Sequence, residues 1–301
     1  MSTKKTFDYK GEPVQHAKAI VNGVRLHYMI AGQGEPLLLL HGVPKTSFFY
    51  HKLVPILSQY YTVVVPDVRG FGDSAKPALG YEMENIAKDC VELMEHLGFE
   101  SFFLHGEDWG AAFAYAIAAS YPKKVKKLSY CEMLLPGYGL EDWAYLTKEN
   151  VNSTHWLWHI VFFHVPGFPE FLIAGKEREF WGNWSKGECN DPTALDDDVV
   201  DEIVRCSSGP EGLRPIFEVY RRTFENMEYT KRMSEKKLEM PVMAIGSKHF
   251  IAEEVHRQMQ RVSDDVTCKI LDCGHSLSLE RPQELADMLL EFMTSHEVVT
   301  N

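Results

Sequence analysis

Short, largely apolar runs alternate with amphipathic stretches along most of the chain. Such runs occupy residues 36–40, 61–67, 102–104, 127–132, 241–246 and 266–271. Runs that are apolar at consecutive positions are typical of central strands buried on both faces of a parallel sheet. Asn22-Gly23 predicts a hairpin turn, and residues 84–97 have the apolar spacing of a helix. Strands that alternate with helices predict an α/β fold with a mostly parallel central sheet flanked by helices.

Residues 136–239 interrupt this alternation. They are rich in aromatic residues and carry helical patterns, but they contain no recognisable strand–helix–strand unit. Most of these aromatic side chains are expected to pack against one another. The 301 residues, of which 45% are hydrophobic, suffice for a large core with an inserted subdomain. We therefore predict a core of residues 1–135 and 240–301 and a helical cap of residues 136–239.

The stretch with the strongest chemical indication is Gly106-x-Asp108-x-Gly110. It follows the apolar run 102–104 and precedes the alanine-rich residues 111–120, which predict a helix. Two glycines spaced in this way around a strand-to-helix turn are typical of a nucleophile elbow, which commonly has serine at its centre. The plainer interpretation is an ordinary glycine-flanked turn in which Asp108 caps the helix.

An aspartate at the centre changes the chemistry that such an elbow supports. A serine that attacked a saturated carbon would form an ether, which water does not readily cleave. A carboxylate instead forms an ester, which water hydrolyses at its carbonyl carbon. Asp108 therefore predicts alkyl transfer from a strained or activated carbon, and epoxides and alkyl halides are the substrates that fit.

Two backbone N–H groups are predicted to form an oxyanion hole beside Asp108. One belongs to Trp109, which directly follows the elbow aspartate. The other belongs to Val43, in the tight loop that follows the apolar run 36–40. Neither role requires a particular side chain, so the prediction depends on the order of the segments along the chain.

The partners of the nucleophile are sought on the loops that follow later strands. His275, on a glycine-flanked loop after the last predicted strand, is the predicted base. Glu132 ends an apolar run, where a carboxylate would be costly without a partner such as His275. Glu253 is the alternative acid, but it stands at a predicted helix start, where an acid is expected for capping alone. Glu132 is therefore preferred.

Composition narrows the range of partners and compartments. The net charge of −12 argues against nucleic acid and anionic membranes as partners. We find no apolar stretch long enough to span a bilayer, and the polar N-terminal residues do not resemble a signal peptide, so a cytoplasmic location is the default expectation. The six cysteines contain no C-x-x-C pair and predict buried free thiols instead of disulfides or a zinc site.

Taken together, these motifs resemble those of the α/β-hydrolase superfamily, and in particular its epoxide hydrolase and haloalkane dehalogenase branch, which uses an aspartate nucleophile. The matching segments are His41-Gly42-Val43-Pro44, Asp67-x-Arg69-Gly70-x-Gly72-x-Ser74, Asp108-Trp109-Gly110 and Gly274-His275. The resemblance extends over nearly the whole chain. It implies the α/β-hydrolase fold with an inserted helical cap, and a cis peptide bond between Val43 and Pro44.

Segments of the predicted cap look like the Cif group of secreted bacterial epoxide hydrolases. They are Trp158-His159-Ile160-Val161-Phe162-Phe163, Leu172-Ile173-Ala174-Gly175-Lys176-Glu177-Arg178 and Phe217-Glu218-x-Tyr220-Arg221. The similarity implies that His159 and Tyr220 form the ring-opening pair, that Glu132 is the acid, and that a homodimer forms. The chain departs from the family at Glu107, where a histidine is usual. That side chain is expected to point away from the pocket, because a second carboxylate there would raise one pKa. Secretion is not carried over.

The sequence thus predicts an epoxide hydrolase that converts an epoxide to a vicinal diol through a hydroxyalkyl ester on Asp108. Its partners would be a small-molecule epoxide and water, without a metal or organic cofactor. One alternative is a haloalkane or haloacid dehalogenase, in which Trp109 and either Trp156 or Trp158 would hold the halide. The arginine expected beside the nucleophile of a fluoroacetate dehalogenase is replaced by Trp109. A second alternative is a ligand-binding α/β-hydrolase with little turnover.

Overall fold

A computed structural model describes residues 4–153 and 156–295 of the chain. Its strands are β1 (Gln15–Val21), β2 (Val24–Ala31), β3 (Glu35–Leu40), β4 (Tyr61–Pro66), β5 (Phe102–Glu107), β6 (Val125–Cys131), β7 (Val242–Ser247) and β8 (Val266–Leu271). They form one sheet in the order β1-β2-β4-β3-β5-β6-β7-β8, and within the described ranges only β2 runs in the direction opposite to the other strands. The predicted mostly parallel sheet is confirmed.

From β3 onwards, helices separate successive strands along the chain. They are α1 (Val54–Leu57), α2 (Met83–His96), α3 (Trp109–Ser120), α4 (Leu140–Ala144), α5 (Lys148–Asn152), α6 (Trp158–His164), α7 (Phe168–Ile173), α8 (Glu177–Gly187), α9 (Asp197–Ser207), α10 (Gly209–Arg221), α11 (Thr223–Met233), α12 (Glu254–Val262), α13 (Leu277–Glu280) and α14 (Pro282–Thr294). Helix α3 packs against β5 and β6, and α12 packs against β7 and β8. Short 3-10 helices lie at Ser47–Tyr50, Pro122–Lys124 and Pro192–Ala194.

The hydrophobic pattern explains the arrangement of the sheet. Leu37–Leu40 in β3 and Val63–Val65 in β4 are at most 1% exposed, because helices cover both faces of a parallel sheet. At one edge, β1 and β2 form the predicted hairpin. Asn22 and Gly23 both have positive φ (46° and 73°), as a two-residue turn of this kind requires.

The chain between β6 and β7 is helical. It contains α4–α11 and no strand among its described residues, which here exclude 154 and 155. We call α4–α11 the insertion helices. Their aromatic side chains pack together, as predicted. The rings of Phe163 and Phe217, for example, have centroids 5.0 Å apart, and Trp181 lies beside both. The cap boundaries at residues 136 and 239 stay a prediction.

The start of α3 passes so close to β3 that no side chain fits at Gly110. A Cβ at Gly110 would lie 1.9 Å from the carbonyl oxygen of Leu40. We expect Gly110→Ala to lower the free energy of unfolding by about 3 kcal/mol or more, because overpacking forces backbone shifts. Urea denaturation measures the change. Gly187→Ala, where a Cβ would meet nothing within 4 Å, is the matched control. Equal midpoints for both variants would contradict the close packing.

Two further expectations concern membranes and thiols. Across residues 4–153 and 156–295, no helix is both long enough and apolar enough to cross a membrane. All six cysteines are free, as predicted. Cys90, Cys131 and Cys273 are buried, whereas Cys189, Cys206 and Cys268 are partly exposed. The expectation of burial is therefore correct for only half of them.

Candidate active site

Asp108 lies at the sharp turn between β5 and α3. Its φ of 60° and ψ of −139° are unusual for a residue with a side chain and are typical of a strained functional turn. The flanking glycines make the turn possible. A Cβ at Gly106 would lie 2.2 Å from the carbonyl oxygen of Gly110. The predicted nucleophile elbow is therefore present as a geometric feature.

The two carboxylate oxygens of Asp108 have different surroundings. Oδ1 accepts hydrogen bonds from the backbone N–H groups of Val43 (2.9 Å) and Trp109 (2.6 Å). These are the two donors predicted for an oxyanion hole. The Val43–Pro44 peptide bond is cis, as the resemblance implies. Oδ2 lies 2.7 Å from Nε2 of His275.

His275 reaches Asp108 from the loop between β8 and α13. Its backbone N–H donates a hydrogen bond to the carbonyl oxygen of Glu188 (2.9 Å), just beyond the end of α8. The approach of these two segments requires glycine at 274, because a Cβ there would lie 2.3 Å from the nitrogen of Asn190 and 2.5 Å from the Glu188 oxygen. The segment between α8 and α9 thus contacts the loop that carries the histidine.

Glu132 is the carboxylate next to His275. It follows β6, has a positive φ of 50° and is fully buried. Its oxygens accept hydrogen bonds from Ser247 N (2.5 Å), Ser247 Oγ (2.7 Å) and Ile251 N (3.0 Å). Oε1 lies 3.8 Å from Nδ1 of His275, which is an ion-pair distance but too long for a hydrogen bond. Glu253, the alternative acid, is exposed at the start of α12.

The electrostatics of this group favour an ionised pair. Burial alone would raise the pKa of Asp108, but the hydrogen bond from His275 and the charge of Lys45 hold that pKa well below its usual value. Burial alone would lower the pKa of His275, but hydrogen bonding to Asp108 and the carboxylate of Glu132 raise it above its usual value. At neutral pH the pair is therefore an imidazolium and a carboxylate.

His159 on α6 and Tyr220 on α10 are the predicted ring-opening pair. Both side chains are buried, and their rings meet edge to face with centroids 5.7 Å apart. Burial lowers the pKa of His159 to about 3, so the imidazole is neutral at physiological pH. Burial also raises the pKa of Tyr220 well above its usual value, so its hydroxyl stays protonated. The two side chains are therefore neutral hydrogen-bond donors.

A cavity brings these groups together. It lies between the carboxyl ends of the strands, where α/β sheets usually bind ligands, and the insertion helices. Asp108, His275, His159 and Tyr220 all line it. The other lining residues are Trp109, Met133, Leu134, Leu140, Leu157, Ile160, Trp184, Glu188, Phe250 and Ile251. The cavity is thus mostly apolar, with a few polar groups directed at one space.

Comparison with known proteins identifies the family. A family model described as alpha/beta hydrolase fold matches residues 35–153. The soluble epoxide hydrolase of Corynebacterium sp. (strain C12) is 30% identical over 287 residues, which span 93% of this chain and 97% of that relative. The chain belongs to the epoxide hydrolase family of α/β-hydrolases. The prediction of a hydrolase with this fold is confirmed.

Two other proteins are similar to the hydrolase. The crystal structure of wild-type Cfl2 from Burkholderia cenocepacia superposes with a TM-score of 0.89 at 32% identity, and the match covers 97% of this chain and 99% of that one. A fluoroacetate dehalogenase from a Burkholderia species is 32% identical over 166 residues, or 54% of this chain and 53% of that protein. Membership of the Cif group, the homodimer and the cytoplasmic location stay predictions.

Glu107, the departure from the family pattern, turns away from the cavity of the hydrolase. It is not among the described lining residues, and its Oε2 accepts hydrogen bonds from the N–H and Oγ of Ser278. Burial raises the pKa of Glu107 above its usual value. The side chain thus points away from the pocket, as expected, and does not meet the carboxylate of Asp108 there.

The predicted halide donors of the dehalogenase alternative do not converge in the hydrolase. Trp109 lines the cavity. Trp156 donates its indole N–H to the carbonyl oxygen of Ala144 (3.4 Å), and Trp158 is 40% exposed. Neither belongs to the described lining of the cavity. A pair of indole donors around one halide is therefore not assembled among these tryptophans.

Metal-binding side-chain types meet outside this cavity. Within the described residues, His27, Asp67 and Asp73 form one such group. Both oxygens of Asp67 already accept hydrogen bonds, from His27 Nδ1 (2.7 Å) and from the backbone N–H groups of Asp73 (2.9 Å) and Ser47 (2.7 Å). Burial would raise the pKa of Asp67, but its hydrogen bond with His27 lowers it to about 2. These contacts are typical of a structural role for the Asp67 loop.

Glu188 is the cavity residue that the sequence analysis missed. It lies in a short polar turn after α8, between Gly187 and Cys189. Nothing in that local pattern distinguishes it from an ordinary exposed glutamate. Its position in the cavity follows from the contact between this turn and the loop of His275, which is tertiary information.

Proposed function

We propose that the chain hydrolyses an epoxide to a vicinal diol through a hydroxyalkyl ester on Asp108. The observation that carries the proposal is the asymmetric environment of that carboxylate. Two N–H groups bind Oδ1, while Oδ2 lies beside His275 in a cavity that two neutral donors also line. This arrangement suits attack by Oδ2, with the future ester carbonyl oxygen already bound.

Ring opening is the first step. Oδ2 of Asp108 forms a bond to a ring carbon, and the bond between that carbon and the epoxide oxygen breaks. Tyr220 and His159 donate hydrogen bonds to the oxygen as it becomes an alkoxide, and their neutrality before reaction lets the interaction strengthen as charge develops. The products of this step are an ester on Asp108 and an alkoxide that requires a proton.

His275 is the proposed source of that proton and the base of the second step. Esterification removes the negative charge of Asp108, and with it the strongest interaction that raises the pKa of His275. The imidazolium then releases its proton, which reaches the alkoxide through Tyr220. The neutral imidazole next deprotonates a water that attacks the ester carbonyl. Collapse of the tetrahedral intermediate releases the diol and restores the carboxylate and the imidazolium.

The role of Tyr220 gives a quantitative prediction. We expect Tyr220→Phe to slow ester formation from an epoxide about 10²-fold, because one of two donors to the developing alkoxide is lost. Hydrolysis of an ester already formed should change much less. Single-turnover kinetics separates the two steps. Tyr229→Phe is the matched control, since its hydroxyl bonds Ser120 and Ala116 instead. Equal rates of ring opening in both variants would contradict the assignment.

Dehalogenation is the second candidate, and the similarity to a fluoroacetate dehalogenase favours it. That relative covers only about half of this chain. The described lining of the cavity contains no arginine or lysine to bind a carboxylate substrate, and it contains Glu188, which would repel one. Opening of a neutral epoxide therefore fits the cavity better.

The deciding experiment is turnover of styrene oxide in ¹⁸O-labelled water, with mass spectrometry of the diol and the protein. We expect an unlabelled diol from the first turnover and label in the Asp108 peptide afterwards. Label in the diol of the first turnover would mean direct attack by water and would overturn the ester mechanism. Halide release from chloro- or bromoalkanes without diol formation would establish the dehalogenase instead. Binding without either reaction would identify a ligand-binding protein.

A further inference from the structure

Glu188 is a carboxyl group in the catalytic cavity for which the proposed reaction has no use. It lines the same space as Asp108, His159, Tyr220 and His275. Within residues 4–153 and 156–295, its carboxyl oxygens have no hydrogen-bond or ion-pair partner. Glu188 is partly exposed, and its carboxyl group faces the cavity without a protein partner. A ligand group that satisfies it would therefore bind favourably at this point.

The backbone holds Glu188 in a fixed position relative to the nucleophile. Its carbonyl oxygen accepts the His275 N–H at 2.9 Å, and Gly274 allows the two segments to touch. Glu280 joins the same segments, because its carboxylate accepts hydrogen bonds from the N–H groups of Gly274 (3.1 Å) and Asp191 (2.9 Å). The side chain of Glu188 therefore extends from a rigid support into the cavity, as a recognition group requires.

The imidazolium of His275 is the cationic group in the described lining of the cavity around Glu188. Apart from its histidines, the described lining is apolar, aromatic or acidic. Burial raises the pKa of Glu188 to about 7, against the lowering effect of His275 and with the charge of Asp108 adding to it. In either protonation state the carboxyl group has an oxygen that can accept a hydrogen bond. A ligand that donates one would therefore supply the partner that Glu188 lacks.

We propose that Glu188 is a specificity-determining residue that selects epoxides carrying a hydrogen-bond donor, either a hydroxyl or an ammonium group, on the arm directed towards the end of α8. The assignment rests on the proposed epoxide hydrolysis and names its substrate class. A site that pairs with a donor group of its substrate discriminates against analogues that leave its acceptor unpaired. An arm ending in a carboxylate would be repelled, and an alkyl arm would leave Glu188 unsatisfied.

Three trans-disubstituted epoxides of nearly equal size, each with a phenyl group on the first ring carbon, test the proposal. Their second ring carbon carries a hydroxymethyl, an aminomethyl or an ethyl group. We expect the wild-type protein to turn over the two donor substrates with kcat/KM about tenfold or more above that of the ethyl compound. Glu188→Leu should bring both ratios near one. Glu188→Gln should keep part of the preference for the hydroxyl and lose that for the ammonium. Glu228→Gln, an exposed glutamate on α11, is the control and should leave both ratios unchanged.

The outcomes separate this proposal from the proposed function. An unchanged preference in Glu188→Leu, or no preference in the wild type, would overturn the role of Glu188 while epoxide hydrolysis stands. If Glu188→Leu loses the preference for the ammonium compound and keeps that for the hydroxyl compound, Glu188 recognises the charge of the substrate and not its hydroxyl group. Calorimetric Kd values for the three compounds with Asp108→Asn measure the preference in binding, without turnover. If no epoxide reacts with the wild type, the proposed function falls, and these binding ratios still decide whether Glu188 recognises a donor.

Discussion

Asp108→Asn is expected to abolish diol formation, with kcat/KM at least about 10⁴-fold below that of the wild type. The amide keeps the size of the side chain but cannot form the ester, and it removes the charge that His275 contacts at 2.7 Å. Steady-state assays with styrene oxide measure the loss. A fall of this size identifies Asp108 as essential, and the labelled-water experiment then distinguishes a nucleophile from a base.

The control for this variant is Asp264→Asn. Asp264 is highly exposed and pairs only with Lys237 at 3.5 Å within the described residues. The activity of Asp264→Asn should therefore equal that of the wild type. Thermal unfolding and circular dichroism would show whether Asp108→Asn keeps its fold. A folded Asp108→Asn protein with substantial diol formation would contradict the nucleophilic role.

His275→Gln is expected to stop the reaction after its first half. Without a base, water attacks the ester slowly, so steady-state turnover should fall at least about 10³-fold. The protein should gain the mass of one epoxide molecule per chain, because attack by Asp108 requires no base and water can protonate the alkoxide, more slowly, in place of His275. Intact-mass spectrometry after incubation with styrene oxide detects the adduct, and peptide mapping places it on Asp108.

His249→Gln is the matched variant for this experiment. His249 lies on the exposed loop after β7 and contacts Asp272. The His249→Gln protein should therefore turn over styrene oxide normally without accumulating an adduct. An adduct in both variants would indicate unspecific alkylation. Continued turnover by His275→Gln would exclude His275 as the base that activates water.

Much of the sheet could be predicted because its strands are buried on both faces. The strand at residues 266–271 has the predicted limits, and the other apolar runs overlap β3–β7. The insertion helices were predicted only as a group. Helices α4, α5 and α7 have five or six residues each, too few to show a clear repeat. Their limits depend on packing against neighbours, which a single sequence does not contain.

The site could be predicted to the extent that it lies at the ends of strands. The loops after β3, β5, β6 and β8 meet at one edge of the sheet, so the order of Val43, Asp108, Glu132 and His275 along the chain was informative. The unfavourable burial of an unpaired carboxylate favoured Glu132, which lies 3.8 Å from His275, over the exposed Glu253, and the role of Glu132 as the acid stays a prediction. Glu188 could not be found in this way, because its turn reaches the cavity only through contacts across the fold.

The different contacts of the two Asp108 oxygens give them different histories in the proposed reaction. Oδ1 stays bound to the N–H groups of Val43 and Trp109 throughout, while Oδ2 is carried away in the diol and replaced by an oxygen from water. As long as the carboxylate does not rotate, one oxygen atom is permanent and the other is renewed in every cycle. Each water oxygen then leaves in the product of the following turnover, so the diol records the solvent that the protein met one cycle earlier.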